Sequence, residues 1–171
     1  MSSQNTFTFT DFVVRPAVPA DVPEILSLIK GLAEYEHLLH EFVATDELMQ
    51  RWLFQEKKAE VVMGEADGKP VGFALFFTSF STFLSKPGIY LEDLFVRPHA
   101  RGNGFGKKML SHLAKLVVER EYGRLEWACL DWNEPSIKFY LSLDAKPMTE
   151  WTTYRLTGEP LERLAAWKPK A

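Results

Sequence analysis

The spacing of hydrophobic residues along the chain predicts helices in some segments and strands in others. In 21–35, the apolar residues Ile25, Ile29 and Leu32 recur at three- or four-residue intervals, which indicates an amphipathic helix. Asp21 is expected to cap the start of this helix. Further helices are predicted at 45–54, 104–121, 135–143 and 161–167.

Short runs of β-branched and aromatic residues predict strands between these helices. Two of the runs flank the Asp67-Gly68 pair, which is a strong signal for a tight hairpin turn. The predicted strands lie at 12–15, 59–66, 70–79, 90–96, 124–130 and 149–156.

One helix joins two of these strands in a β-α-β unit. The strand at 90–96, the helix at 104–121 and the strand at 124–130 follow directly on one another, so we expect parallel strands and a right-handed crossover. The strands on either side of this unit imply a mixed α/β sheet. A ligand is then expected beyond the carboxyl end of the strand at 90–96.

The strand at 90–96 carries two adjacent carboxylates in an apolar setting. Strict alternation places Glu92 with Tyr90 on one face and Asp93 with Leu91 on the other. Both faces are otherwise apolar, as in a strand that is buried on both sides. Buried carboxylates are costly unless they are solvated, paired or used, so both a structural and a functional role stay open.

Composition narrows the class of protein. The chain has 171 residues, 46% of them hydrophobic, which suits one domain with a substantial core; we predict a flexible arm at 1–11 and a single domain at 12–171. The formal net charge of −3 argues against a nucleic-acid binder. The single cysteine, Cys129, excludes an internal disulfide and fits a reducing compartment. No signal peptide or membrane span is recognisable, so a cytoplasmic location without membrane partners is expected.

Glycines at 102, 104 and 106 lie between the strand at 90–96 and the following helix. They let backbone N–H groups approach a ligand at the positive end of that helix, which suits a phosphate or pyrophosphate. A nucleoside-triphosphate loop would need a hydroxyl residue after its lysine, whereas Lys107 is followed by Lys108. A dinucleotide loop needs two residues between its last glycines, but only Phe105 lies there, although Glu126 could serve as the ribose-binding acid. A simple tight turn is the remaining alternative.

Arg101-x-x-Gly104-x-Gly106 resembles the pyrophosphate-binding loop of the GNAT N-acetyltransferases. The segments Tyr90-Leu91-Glu92-Asp93 and Trp132-Asn-Glu-Pro-Ser-Ile-Lys-Phe-Tyr140 resemble the diamine (spermidine/spermine-type and thialysine-type) branch, and the similarity covers about 12–156. The resemblance implies a mixed, mostly antiparallel twisted sheet flanked by helices, with the parallel β-α-β unit forming an acetyl-CoA cleft. It also implies acetyl transfer from acetyl-CoA to a small diamine, polyamine or thialysine-like amine, in a homodimer. Direct attack in a ternary complex is favoured because no convincing nucleophile is present, and no metal is expected.

The resemblance assigns residues to both substrates. Those expected to hold acetyl-CoA are Leu94, Phe95, Val96, Arg101, Gly102, Asn103, Gly104, Phe105, Gly106, Lys107, Asn133, Pro135, Ser136 and Tyr140. Those expected around the amine are Tyr35, Glu36, Glu92, Asp93, Glu126, Trp127 and Glu150. Asn133 could equally cap the helix that follows it.

Two of these residues are expected to act in catalysis. A lysine-like amine with a pKa of about 10.4 must lose a proton before it attacks, and Glu92 can hold the ammonium and pass its proton to water. The Tyr140 phenol can protonate or hydrogen-bond the departing thiolate. Asp144 stands where the family usually has a glycine, in a left-handed helix end.

Other interpretations stay open. The same fold could acetylate an amino acid, an aminoglycoside or a protein lysine, or the chain could be a non-catalytic acyl-CoA sensor. His37 and His40 could share a helix face, but no third metal ligand is apparent. Cys129 would need a positioned histidine to act as a nucleophile, and none is close in sequence.

Overall fold

The computed structural model describes residues 9–169. Residues 1–8 and 170–171 lie outside that range, so most of the arm predicted at 1–11 falls outside the described residues. The chain divides into two compact units at the boundary between Ala128 and Cys129. The single domain predicted for 12–171 spans this boundary and stays a prediction.

The first unit is built on a five-stranded sheet whose strands lie side by side in chain order. The strands are β1 Phe12–Pro16, β2 Glu60–Ala66, β3 Lys69–Ser81, β4 Lys86–Val96 and β5 Leu125–Trp127. Neighbours from β1 to β4 are antiparallel, and β5 pairs in parallel with β4. The predicted mixed, mostly antiparallel sheet with one parallel β-α-β unit is confirmed.

The strand predicted at 124–130 is shorter than expected. Its parallel pairing with β4 extends only from Ile89 to Leu91, so β5 is limited to three residues. The hairpin between β2 and β3 is as predicted: Asp67 and Gly68 have φ values of 50° and 73°, the left-handed pair that a tight two-residue turn requires.

The described residues of the first unit form three α-helices: α1 Val22–Tyr35, α2 Asp46–Met49 and α3 Phe105–Glu119. α2 begins where predicted, because the Thr45 hydroxyl accepts the Leu48 N–H, and it continues as a π-helical segment over Gln50–Gln55. The predicted helix at 45–54 is therefore present with a change of winding in its second half.

Asp21 stands at the N-cap position of α1 but does not cap it with its side chain. Its carboxylate instead accepts hydrogen bonds from the Arg15 guanidinium at 2.7 and 2.9 Å and from the Val18 N–H. Arg15 also donates to Glu65, and its bonds hold the pKa of Asp21 below the usual value. The carboxylate thus ties the start of α1 to β1 and β2.

The main core lies between α1 and one face of the sheet. Ile25 and Leu28 of α1 are fully buried in one cluster with Phe73 of β3 and Phe95 of β4. Burial of side chains of this size contributes about 1.5–3 kcal/mol each, so this cluster fixes α1 against the middle strands.

α3 approaches the sheet closely over Gly72 of β3. A Cβ atom added to Gly72 would stand 2.7 Å from the Phe95 carbonyl oxygen and 3.4 Å from the Met109 sulfur of α3. Only glycine fits at this position, because the 2.7 Å contact is with the backbone of the neighbouring strand β4; the Met109 side chain packs over the same residue.

A β-bulge in β4 overturns the predicted alternation of its residues. Asp93 pairs with Leu75, whereas Leu91 pairs with Phe76, so Glu92 is an extra residue without a cross-strand partner on β3. Because Leu75 and Phe76 are consecutive, they point to opposite faces, and so do Asp93 and Leu91. The prediction that Asp93 and Leu91 share a face is therefore wrong: the bulge moves Asp93 to the face that carries Tyr90.

The regular elements among the described residues of the second unit are two helices, α4 Glu134–Leu141 and α5 Gly158–Ala165, joined by irregular segments. The strand predicted at 149–156 is wrong: this segment has no strand hydrogen bonding, and Trp151 and Tyr154 are exposed. Alternating apolar residues form a strand only where a neighbouring strand supplies hydrogen bonds, and the described part of this unit contains none.

Four helical segments among the described residues are followed by a left-handed residue that is not glycine. These residues are His37, Lys57, Glu121 and Asp144, with φ between 51° and 62°. After α3, the Tyr122 N–H donates to Val117 and the Glu121 N–H to Val118, which is a Schellman motif. The left-handed conformation expected at Asp144 is confirmed.

We expect Glu121→Gly to stabilise the protein. A left-handed backbone costs an L-residue other than glycine about 1–2 kcal/mol, and glycine removes this cost. The greater flexibility of glycine in the unfolded chain offsets about 0.5–1 kcal/mol of that stabilisation. The free energy of unfolding, measured in urea, should therefore rise by about 0.5–1 kcal/mol. Glu119→Gly, inside α3, is the matched control and should lose about 1 kcal/mol. A loss in both variants would contradict the role assigned to the left-handed backbone.

Candidate active site

The loop between β4 and α3 presents its backbone to solvent. Gly102 and Gly104 have φ values of 82° and 74°, and a Cβ atom added to either would meet no atom within 4 Å. Gly104 is the N-cap of α3, and its carbonyl accepts the Lys108 N–H. The N–H groups of the first helical turn have no intrahelical acceptors, so they remain for an anion at the positive end of α3.

Side chains of this loop hold its shape. Asn103 donates to the carbonyls of Ala100 and Arg101, and Arg101 donates from Nε to the Val96 carbonyl at 2.9 Å. The Arg101 guanidinium lies 4.5 Å from the centre of the Tyr35 ring. Arg101 therefore links the glycine loop to the end of β4 and to the last residue of α1.

Three carboxylates gather beside the bulge in β4. Glu92 is exposed, whereas Asp93 and Glu36 are partly buried. Burial, followed by the charges of Glu92 and Glu36, raises the pKa of Asp93 to about 6. Burial also raises the pKa of Glu36. The structure thus brings Glu36, Glu92 and Asp93, all predicted around the amine, into one negatively charged group.

Glu126 extends this group onto β5. It lies opposite Tyr90 in the parallel pairing and forms an ion pair with Arg124, with Nε and Oε2 2.6 Å apart. Burial and the charges of Glu92 and Glu126 raise the pKa of Tyr90. Trp127 follows on β5, partly buried and opposite Leu91.

Five of the predicted residues lie in the second unit: Asn133, Pro135, Ser136, Tyr140 and Glu150. Asn133 is buried and its side-chain oxygen accepts the Ser136 N–H, so it serves as the N-cap of α4, with Pro135 in the first turn. Tyr140 is partly buried, and its ring centre lies 5.4 Å from that of Phe139. Glu150 lies in an exposed turn.

Sequence reasoning missed Arg124 and Tyr90 as parts of the charged group. Arg124 directly precedes β5 and lies two residues before Glu126, a spacing typical of side chains on one face of an extended segment, which could have signalled the ion pair. Tyr90 could be placed beside Glu126 only once the register between β4 and β5 was known.

No group of three or more His, Cys, Asp or Glu side chains within residues 9–169 is arranged to hold a metal ion. None of the helices formed by these residues has the length and apolar character needed to cross a bilayer.

Residues 25–144 match the model of the acetyltransferase (GNAT) family. The chain belongs to this family. It is 34% identical to thialysine N-epsilon-acetyltransferase of Bos taurus, over 90% of this chain and 96% of the relative. It is 32% identical to L-ornithine N5-acetyltransferase NATA1 of Arabidopsis thaliana, over 88% of this chain and 86% of the relative. An integron cassette protein from the mobile metagenome of V. cholerae has the same fold, with a TM-score of 0.78 at 24% identity over 92% of this chain and 99% of that structure.

The chain is therefore an N-acetyltransferase that acts on an amine, and its family uses acetyl-CoA as the co-substrate. The glycine loop fits the phosphates of such a co-substrate. Its open positions at Gly102 and Gly104 and the N–H groups at the start of α3 supply the close approach and the donors that a pyrophosphate needs.

We expect Gly104→Ala to weaken acetyl-CoA binding. The added methyl group points into open space, so it obstructs a ligand at the loop rather than the protein itself. Gly68→Ala is the matched control, because Gly68 has the same left-handed backbone and open surroundings in the β2–β3 turn. Calorimetry should give a Kd for acetyl-CoA at least about tenfold higher in Gly104→Ala, corresponding to about 1.4 kcal/mol, and an unchanged Kd in Gly68→Ala. An equal increase in Kd in both variants would mean that backbone strain alone weakens acetyl-CoA binding.

Asp93 should make stability depend on pH. Its folded pKa of about 6 exceeds the usual value of 3.8, so folding favours the neutral acid. That stabilisation is present below about pH 4 and is lost as the pH rises through about 6. Asp93→Asn stays neutral, so its free energy of unfolding relative to wild type should rise between about pH 4 and 7.5, by at most about 3 kcal/mol.

Urea unfolding at both pH values checks this expectation, with the exposed Asp131→Asn as the control. Parallel pH profiles for wild type and Asp93→Asn would contradict it.

Proposed function

We propose that the protein transfers the acetyl group of acetyl-CoA to a primary amine of a small diamine, polyamine or thialysine-like substrate by direct attack in a ternary complex. The observation that carries this proposal is the group of carboxylates Glu36, Glu92, Asp93 and Glu126 in the unit that also holds the glycine loop. A negatively charged surface of this kind favours a cationic amine. The names of the thialysine and ornithine relatives agree with such a substrate.

Glu92 is the residue that handles the reacting amine. Its carboxylate is exposed at the bulge, so it can hold an ammonium group and let the proton pass to water. Asp93, whose pKa is raised to about 6, is a second proton acceptor beside it. Tyr35, Glu36, Glu126, Trp127 and Glu150 complete the proposed surroundings of the amine.

Backbone and loop groups hold the co-substrate. When bound, acetyl-CoA supplies an acetyl thioester that a deprotonated amine can attack. The residues proposed to bind it are Leu94–Val96, Arg101–Lys107, Asn133, Pro135, Ser136 and Tyr140. Arg101 donates to the Val96 carbonyl in this structure, and the second lone pair of that oxygen remains for an amide N–H of the co-substrate.

Tyr140 is proposed to donate its phenolic proton, or a hydrogen bond, to the departing thiolate. A phenol with an ordinary pKa of about 10 is a weak acid for a thiolate of about 8.5, which limits its contribution to about 10²-fold in rate. Cys129 is partly buried and its thiol contacts the Leu130 carbonyl, and no role as a nucleophile is assigned to it. A homodimer in the cytoplasm completes the proposal.

Thiol release from acetyl-CoA tests the reaction against putrescine, spermidine, thialysine, L-ornithine, lysine, an aminoglycoside and a histone-like peptide. We expect turnover with a small dibasic amine. Glu92→Gln should raise the KM for that amine, and Tyr140→Phe should lower kcat by about 10²-fold with an unchanged Kd for acetyl-CoA.

Each part of the proposal has an outcome that would contradict it. Turnover confined to the aminoglycoside or the peptide would contradict the proposed class of substrate. Acetyl-CoA binding without thiol release across the panel would favour a sensor. Unchanged amine kinetics in Glu92→Gln would remove Glu92 from the amine site.

A further inference from the structure

Tyr90 lies in β4 between an aromatic ring and a carboxylate. Its cross-strand partner on β3 is Phe77, and the two ring centres are 5.2 Å apart. Its partner on β5 is Glu126. Both Tyr90 and Phe77 are partly buried, so the pair forms part of the sheet surface beside the carboxylate.

The bulge at Glu92 brings Asp93 onto the same face as Tyr90. Their partners on β3, Leu75 and Phe77, are two residues apart, which separates the two side chains by about 7 Å along the sheet. Without the extra residue, Asp93 would point to the opposite face. The fold thus aligns two positions for positive charge on one surface: one at Asp93 and Glu92, and the other at Tyr90 and Glu126.

The charges around Tyr90 favour a cation. Glu36, Glu92, Asp93 and Glu126 supply up to four negative charges, and Arg124 balances only one of them through Oε2 of Glu126. The burial and carboxylates that raise the pKa of Tyr90 keep its phenol neutral. A neutral, electron-rich ring beside a carboxylate binds an ammonium both by cation–π attraction and by charge.

We propose that Tyr90 determines specificity by receiving the second, non-reacting ammonium group of a dibasic substrate, between its ring and the Glu126 carboxylate. The reacting amine then lies at Glu92 and Asp93. This inference rests on the proposed function and adds to it the residue that distinguishes a diamine from a monoamine. The aromatic ring, rather than the hydroxyl, supplies the contact.

The test compares butane-1,4-diamine with butylamine, which differ only in the second amino group. Wild type should prefer the diamine in kcat/KM. Tyr90→Leu should lower kcat/KM for the diamine by about tenfold and change it for butylamine by no more than about twofold, because only the diamine uses the ring face. Tyr90→Phe keeps that face and should retain the preference. Phe80 on β3 is exposed, so Phe80→Leu is the matched control and should leave kcat/KM unchanged for both substrates.

Several outcomes would overturn the inference. If Tyr90 has only a structural role, Tyr90→Leu should lower kcat/KM for both substrates in the same proportion. If Tyr90 has no role, kcat/KM for both should stay unchanged. Either result, with an active wild type, rejects the inference and leaves the proposed function standing. If wild type acetylates no amine, both fail. If Tyr90→Leu does not fold, Glu126→Gln decides the matter, because an unchanged diamine preference in that variant also rejects the assignment.

Discussion

The extra residue that β4 carries at Glu92 is the constraint on which the charged surface depends. Strand pairing on both sides of the bulge is regular, so the surplus residue cannot be absorbed elsewhere and shifts the alternation of side chains. It leaves Glu92 exposed and turns Asp93 toward the face of Tyr90. A regular strand with the same sequence would divide these groups between opposite faces of the sheet.

The surface is held in an unfavourable electrostatic state by the core beneath it. Burial and neighbouring charges of the same sign oppose ionisation of Asp93, which is a cost that folding must offset. Phe73 and Phe95, packed against α1, supply burial on the same side of the sheet. A cationic substrate would relieve the repulsion, so the energy that destabilises the unbound site favours binding.

Periodicity predicted those parts of the fold that depend on local sequence. The apolar spacing around Ile25 gave the position of α1, and Asp67-Gly68 gave the hairpin, because both signals lie within a few residues. The bulge could not be predicted, since it is defined by the register between Leu75 and Asp93 in two different strands. The strand predicted at 149–156 is absent for a related reason: alternation of apolar residues alone does not provide a strand with a partner.

The same division applies to the candidate site. The glycine loop and the carboxylates Glu92 and Asp93 were recognised from short segments, and the comparisons established the family to which those segments belong. The ion pair of Arg124 with Glu126 and the contact of Arg101 with Tyr35 emerged only from the packing of separate elements. Local motifs thus indicated the chemistry, whereas the tertiary structure determined which charges face one another.

The close packing at Gly72 restricts how far the glycine loop can move. The Met109 side chain of α3 is fully buried and its sulfur lies over Gly72 and Gly64, so dense packing in the core fixes how close α3 lies to the sheet. Since the loop leads directly into α3, the position of its N–H groups inherits that stiffness. A pyrophosphate would therefore meet donors whose height above the sheet is already determined, and little binding energy would be spent on bringing them into place.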